Sequence, residues 1–326
     1  MRKLFVFFLL VNFNSIAYNQ VIKGTILDRN TGSPVYFASI YFNGTFTGTH
    51  SDNNGYFELE ISNNISIPLS ISALGYYSVT LDDFLTDETL LIYLVPKVFE
   101  LQEVFISAKA FSRARRKNLI LFKNAFFGET INASQCKIIN EDDITFDQSE
   151  NDTLKVYSLN PILIDNKALG YKVTYFLDEF ELHKKDNSFF FTGNIIFEED
   201  LINKTQKRRF ERRRGKAYLG SRMHFCRALW RNSLDSEGFS VTDTLNVKLD
   251  YDRIVIQTDS ITKYLRNNGK LFVAYYSKIP ETRIVVKKEN IYFDKNGYFN
   301  PYDIVWEGEM AKQRIADWLP YEYSIK

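Results

Sequence analysis

From Gln20 to Val95 the apolar positions come in short runs separated by clusters of turn formers. Ile67, Leu69, Ile71 and Ala73 alternate with Pro68, Ser70 and Ser72. A period of two is the mark of a half-buried strand. Val21–Leu27, Val35–Phe42, Thr45–Thr49, Tyr56–Ile61, Tyr76–Leu81 and Thr89–Val95 read the same way, with turns at Asp28–Pro34, Asn43-Gly44 and Ser51–Gly55 between them. Seven short strands with regular turns predict an antiparallel β-sandwich over 20–96. Gly32 and Gly55 fall where such turns need a positive φ, and Phe57 and Leu59 share one face of the strand that leaves Gly55.

The pattern changes after residue 109. Phe111, Leu119, Phe122 and Phe126 lie partly at helical spacing, and Gly128 can end the helix. Arg113, Arg115, Arg116 and Lys117 crowd its start; positive charge there opposes the helix dipole, which places the expected start later than Ser112. Strands return with Tyr171, Val173, Tyr175 and Leu177 alternating against Lys172, Thr174, Phe176 and Asp178. Phe189–Phe197, Lys216–Leu219, Arg253–Gln257, Lys270–Ser277 and Arg283–Phe293 read as further strands. Several carry aromatics on both faces, which predicts burial from two sides or packing between layers. Ala311, Ile315, Trp318 and Leu319 mark one face of a short helix stopped by Pro320. The fold class is therefore mainly β: a sandwich at 20–96, a connector at 97–109, and a β-rich region with a few short helices at 110–326.

The chain opens with Met1-Arg2-Lys3, an unbroken apolar run from Leu4 to Val11, and small residues at Ser15 and Ala17. This reads as a signal peptide within residues 1–19, cleaved after Ala17. The run is far short of the roughly 20 residues of a membrane-spanning helix. No Cys lies near the cleavage point to take a lipid, and no later segment is long and apolar enough to span a membrane, so the mature chain is expected to be soluble or peripherally attached. Export would put it in the periplasm or at the outer membrane.

Composition adds limits. The chain of 326 residues is 45% hydrophobic and 16% aromatic, ample for real cores. Its 41 basic and 40 acidic residues balance to +1, which argues against a nucleic-acid partner. Two cysteines, Cys136 and Cys226, could pair in an oxidising compartment and close a long loop, or remain as buried thiols. The sequence leaves both open.

Gly24-x-x-x-Asp28-x-x-Thr31-Gly32-x-Pro34, Ala38-Ser39-Ile40, Gly48-Thr49-x-Ser51-Asp52-x-x-Gly55-x-Phe57-x-Leu59 and Leu74-Gly75-Tyr76 together resemble the carboxypeptidase regulatory-like domain. The resemblance implies a transthyretin-like sandwich with no catalytic residues of its own. In Gram-negative envelope proteins such a domain often precedes an outer-membrane receptor, and Leu101–Ala108 is similar to the stretch that links it to a receptor plug. The rest of the chain, from 109 to 326, is too short for a plug and a large barrel, so a transporter is not expected. Asn160–Tyr171, Ala217–Phe225 and Arg314–Pro320 resemble blocks of envelope proteins that carry the same N-terminal domain.

Candidate chemistry is sparse. Metallocarboxypeptidase activity needs His-x-x-Glu, but His50, His183 and His224 are followed at the third position by Asn53, Asp186 and Arg227. No His-Glu-x-x-His motif occurs, and no Gly-x-Ser-x-Gly elbow. Ser221 and His224 are too close in sequence to orient as nucleophile and base, and Cys226 reads as a core or paired cysteine before an activated thiol. The acids Asp178-Glu179 and Glu198-Glu199-Asp200 read as solvated charges near strand ends. Asp52-x-Asn54-Gly55 and Asp294-x-Asn296-Gly297 offer too few ligands for a calcium loop and read as turns. No catalytic, cofactor or metal residue is assigned. The largest charge cluster, Lys207, Arg208, Arg209, Arg212, Arg213 and Arg214, is a candidate contact for a polyanion or lipid phosphate on a hairpin, or a plain solvated surface. The expected function is a non-catalytic envelope protein, structural or binding, whose partner is an envelope protein or glycan. A carbohydrate- or polymer-binding protein is the alternative, and a hydrolase without a linear motif comes third.

Overall fold

A computed structural model describes residues 20–61, 67–85, 88–97, 108–147, 152–200, 204–259, 262–266, 269–277 and 282–325. The expected signal peptide (1–19), most of the expected connector and nearly all of the stretch at 101–108 lie outside the described residues.

The N-terminal strands are β1 (Gln20–Asp28), β2 (Ser39–Phe42), β3 (Gly48–His50), β4 (Tyr56–Ile61), β5 (Leu69–Ser72), β6 (Val79–Leu81) and β7 (Leu90–Leu94). They form two sheets, β4-β1-β7 and β3-β2-β5-β6, that close on one core containing Ile26, Phe42, Phe57, Leu69 and Leu94. Phe57, Leu59 and Ile61 all point inward from β4, as their spacing requires. Gly55 has φ +73°, and a Cβ there would lie 2.4 Å from the Ile26 carbonyl oxygen. One expectation fails: β7 runs parallel to β1. After β6 the chain crosses back to the first sheet and enters it along β1.

Next come α1 (Ala108–Phe127), β8 (Cys136–Ile138), β9 (Ile144–Asp147), β10 (Thr153–Ser158), β11 (Ile162–Asn166), β12 (Tyr171–His183) and β13 (Phe189–Glu199). The long β12 is the spine. It pairs along one edge with β11 and then β10, and along the other with β13. Phe122 and Phe126 of α1 pack over this sheet against Phe180 and Tyr175. The helix starts at Ala108, ahead of the expected position. Arg115 explains part of this: its guanidinium donates to the carbonyls of Glu141 and Ile144, at 2.7 and 2.6 Å, so that charge is used away from the dipole.

The largest departure is at 204–230, where α2 (Lys204–Tyr218) and α3 (Arg222–Trp230) replace the expected strand at Lys216–Leu219 and the expected hairpin. Phe210, Arg214, Ala217 and Tyr218 form the buried stripe of α2 at i, i+4, i+7 and i+8. One member is an arginine, so the helical period was hidden among charges. With 20 and 15 residues, α1 and α2 are not short helices.

The remaining elements are β14 (Phe239–Thr242), α4 (Tyr251–Ile254), β15 (Val255–Gln257), β16 (Lys263–Arg266), β17 (Lys270–Tyr275), β18 (Thr282–Val286), β19 (Asn290–Phe293), β20 (Ile304–Gly308) and α5 (Glu309–Lys312). They make two small sheets, β14-β17-β18-β20 and β15-β16-β19. These share a core with Phe225 and Leu229 of α3. The region after residue 110 thus holds two cores, one under β12 and one under β17. The single strand expected at Arg283–Phe293 is two strands in different sheets, and the first two residues of that expected at Arg253–Gln257 belong to α4. The C-terminal helix stops at Lys312. Beyond it Ile315 and Ala316 donate their amides to the carbonyls of Phe126 and Phe127, so this segment closes the end of α1 instead of continuing its own helix.

The N-terminal sandwich docks on β13. Gly44 N donates to Ile195 O at 2.9 Å, Ile195 N donates to the Asn43 Oδ1 at 2.8 Å, and Tyr321 N donates to Gly44 O at 2.8 Å. Tyr41 stacks on Phe176 with ring centroids 5.7 Å apart, which is why β12 carries aromatics on both faces. Gly44 has φ +77°, and a Cβ there would meet the Tyr321 ring at 2.8 Å. Gly44→Val adds both left-handed strain and a clash at this seam. It is expected to lower unfolding stability by about 1–3 kcal/mol, read by chemical denaturation. An unchanged midpoint and slope would show that the turn is not seated against Tyr321.

Candidate functional site

A cavity of about 540 Å³ opens where the three parts meet. Asn43 and Ser70 come from the sandwich, Tyr175, Phe191 and Asn194 from β12 and β13, and Arg222, Tyr298 and Trp318 from the C-terminal half. Phe191 stacks on Trp318 at 6.3 Å, and Tyr298 meets Tyr321 edge-on at 6.0 Å. Phe190 and Tyr302 line the wall and are exposed. The space is therefore concave, with aromatic rings interleaved with many polar side chains, the carboxylates of Asp82 and Asp317 among them; concavity and aromatic walls are features of small-ligand sites. Ser70 Oγ donates to Asn194 Oδ1 at 3.1 Å, and the indole N–H of Trp318 is buried without an acceptor.

Arg222 is the first residue of α3, behind the N-cap Ser221. Its Nη2 donates to Gln313 O at 2.8 Å, and its guanidinium lies 5.5 Å from the centre of the Trp318 ring. No carboxylate among the described residues sits within ion-pair distance of it. Enclosure lowers its pKa to about 10. Asp317 also lines the wall, but its two oxygens accept from Thr130 Oγ1 and Asn132 Nδ2, each at 2.7 Å. Burial raises that carboxyl above its usual range, against those two hydrogen bonds.

The sequence candidates fall elsewhere. In the basic cluster, Lys207, Arg208, Arg209 and Arg212 are on the outer side of α2. The other two turn inward. Arg213 donates to Gln135 Oε1 at 2.8 Å. Arg214 is 2% exposed and donates to Leu169 O, Gly170 O and Glu199 Oε1, 3.9 Å from the Tyr171 ring centre. Six arginines and lysines do not make one anion patch, because a helix splits them between two faces. Cys136 and Cys226 are free thiols; Cys136 borders the core under β12 and Cys226 belongs to the core under β17, so the pairing left open by the sequence does not form. Burial raises both thiols, Cys136 to about 12, which makes them poor nucleophiles.

Ser221 and His224 do meet, but not as a catalytic couple. Ser221 Oγ accepts from the His224 backbone amide at 3.1 Å, as an N-cap. The imidazole Nδ1 accepts from Gly220 N at 3.0 Å, and Nε2 lies 2.9 Å from Glu237 Oε2. An accepting Nδ1 leaves the proton on Nε2, donated to Glu237. His50 stacks on Phe37, and His183 Nδ1 bonds Thr153 Oγ1 at 2.9 Å, in other parts of the molecule. Among the described residues no group of three His, Cys, Asp or Glu side chains could hold a metal ion. The carboxylates of Asp52 and Asp294 accept from the amides of their own turns, as turn residues do. Glu199 is held by Arg214 and Asp200 by Lys167. Asp178 sits at a bulge in β12, at the seam, where burial raises its carboxyl and Lys97 opposes that.

A family model described as the CarboxypepD_reg-like domain matches residues 22–106. The N-terminal sandwich is a CarboxypepD_reg-like domain. The resemblance read from its turn glycines and the Gly48–Leu59 spacing therefore holds. No curated protein matches the chain. Among solved structures, a 9R-lipoxygenase from Cyanothece PCC8801 shares 9% identity over 65% of this chain and 48% of its own, with a TM-score of 0.20. This chain thus spans about half of that enzyme's length, and a score that low carries no argument. The share of the CarboxypepD_reg-like domain in the cavity wall includes Asn43, Ser70, Ser78, Thr80 and the acid Asp82. The residues that sequence reasoning missed, Arg222 and Trp318, lie inside two of the blocks noted for resemblance, Ala217–Phe225 and Arg314–Pro320.

Burial lowers the His224 pKa, and the hydrogen bond and charge of Glu237 only partly restore it. The unfolded chain therefore binds this proton more readily than the folded one. Stability from the neutral imidazole is complete above about pH 6.5 and falls as pH drops below it, toward the folded pKa. Denaturation from pH 8 to pH 5 is expected to show this loss in the native protein and a flatter profile in His224→Gln. Equal slopes in the two proteins would contradict the buried neutral imidazole.

Proposed function

We propose that this protein is an exported, non-catalytic binding protein of the cell envelope, holding a small ligand or a polymer end in the cavity between its three parts. The observation that carries the reading is the cavity itself, walled by aromatic rings from β13, the Tyr298 loop and the Trp318 segment, and closed by the CarboxypepD_reg-like domain. Such a domain is a structural or binding module and brings no catalytic group. The signal pattern at Met1–Ala17 supports export to the periplasm or outer membrane. No helix among the described residues is long and apolar enough to cross a membrane.

A glycan is the ligand class the walls favour. Flat rings offer stacking faces to sugar rings, and Asn43, Thr192, Asn194 and Tyr302 place hydrogen-bonding groups between them. Thermal unfolding of residues 18–326 against envelope glycans, lipid headgroups and divalent metals tests the reading. A ligand that binds only the folded chain stabilises it, by about 2.7 kcal/mol at a hundredfold excess over Kd. A rise in Tm with a glycan is expected. No shift with any glycan or headgroup would overturn the binding role and favour a structural one. A shift with zinc alone would contradict the non-catalytic reading.

A further inference from the structure

Three buried arginines of this protein, Arg214, Arg227 and Arg314, share one habit. Arg214 directs its donors to two carbonyls and Glu199. Arg227 donates to the carbonyls of Asn296, Tyr321 and Tyr323, at 2.8, 3.0 and 2.7 Å. Arg314 donates to Ala311, Asn124 and Ala125 carbonyls and to Glu129. Each collects the free acceptors of a chain end or an irregular loop. Arg222 breaks the habit. One of its five donors reaches a protein acceptor, Gln313 O. The rest of its guanidinium lies in the cavity wall beside Trp318, and no carboxylate among the described residues pairs with it.

The surroundings favour an anion at that point. Arg222 opens α3, a helix of nine residues whose His224 amide is capped by Ser221 Oγ, while the amides of Arg222 and Met223 precede the helical ladder. The N-terminal pole of the dipole adds to the guanidinium charge. Two acids, Asp82 and Asp317, line the same cavity without an ion pair to Arg222; Asp317 is bonded to Thr130 and Asn132, and its charge acts on Arg222 from beyond contact. A guanidinium fork left open in a concave, partly dry space matches a carboxylate in shape and charge, and such charge-assisted pairs are stronger than neutral hydrogen bonds.

We infer that the cavity receives a carboxylate-bearing ligand, with the carboxylate on Arg222 and the ligand body against the aromatic walls. This rests on the reading of the cavity as a binding site. The carboxylate can belong to a uronic-acid sugar or to a fatty acid, and the test separates the two. Calorimetric titration of the mature chain uses two matched pairs, trigalacturonate with its methyl ester and octanoate with octanol. One acid is expected to bind and its neutral partner to bind at least about tenfold more weakly, the difference that one charged hydrogen-bonded pair makes. Arg222→Gln is expected to remove that preference, and Arg222→Lys to keep part of it. If sugar acid binds and octanoate does not, the source is a glycan; the reverse names a lipid. Equal binding of acid and neutral partner in the native protein overturns the inference while leaving the cavity as a site. Binding of neither acid overturns it as well. The paired comparison in the native chain needs no variant, so a failure of Arg222→Gln to fold leaves the test intact.

Discussion

The backbone of the Asn43–Thr45 turn bonds at once to β13 and to the C-terminal segment, and the cavity exists because of these bonds. Gly44 is bonded through its amide to Ile195 and through its carbonyl to Tyr321. Hydrogen bonds of this kind contribute about 1 kcal/mol each net of solvent, so the seam gains a few kcal/mol from them and more from the Tyr41–Phe176 stack. The geometry demands glycine at the turn, because Tyr321 occupies the space a side chain would need. The CarboxypepD_reg-like domain is therefore more than a neighbour of the C-terminal half. Its turn fixes one wall, β13 fixes the next, and the Trp318 segment closes the third.

The second organising device is the use of arginine to satisfy backbone that forms no regular ladder. The last turn of α1 leaves carbonyls without helical partners. Arg314 caps Asn124 and Ala125 from a segment nearly two hundred positions away in sequence. Arg227 does the same for the chain end at Tyr321–Tyr323, and Arg214 for the tight turn at Leu169-Gly170. Asn166 completes the set by donating to Ala316 O at 3.0 Å and accepting from the amides of Ala168 and Leu169. Two of the sequence blocks noted for resemblance, Asn160–Tyr171 and Arg314–Pro320, are thus joined by the Asn166 side chain. Beside these arginines Arg222 has donors left open, which is why it points to function where the others point to architecture.

The sandwich was legible because its signals are local: alternation along β4, turn glycines at 32 and 55, and a carboxylate at Asp28 binding the amides of its own turn. The parallel β1–β7 pair was not, since strand direction within a sheet depends on a long connection. The helix α2 was hidden for a physical reason. Its inward stripe includes Arg214, whose burial is tolerated only because three acceptors and the Tyr171 ring receive it, and none of these is adjacent in sequence. The end of the chain misled in the opposite way. Ala311, Ile315 and Leu319 do keep helical spacing, but the amides of Ile315 and Ala316 bond to α1, so the periodicity survives without the helix. The cavity could not be read at all, because its walls are drawn from positions 43 to 321 and exist only once the seam has formed.

Amide hydrogen exchange of the unliganded protein at Gly44, Ile195 and Tyr321 tests the seam most directly. These three amides bond across it, so they should exchange as slowly as amides inside the sheets, such as Ile26 and Val173. Fast exchange at all three, with Ile26 and Val173 still protected, would contradict the account, because the sandwich would then fold without docking and the cavity would lack the wall its turn supplies.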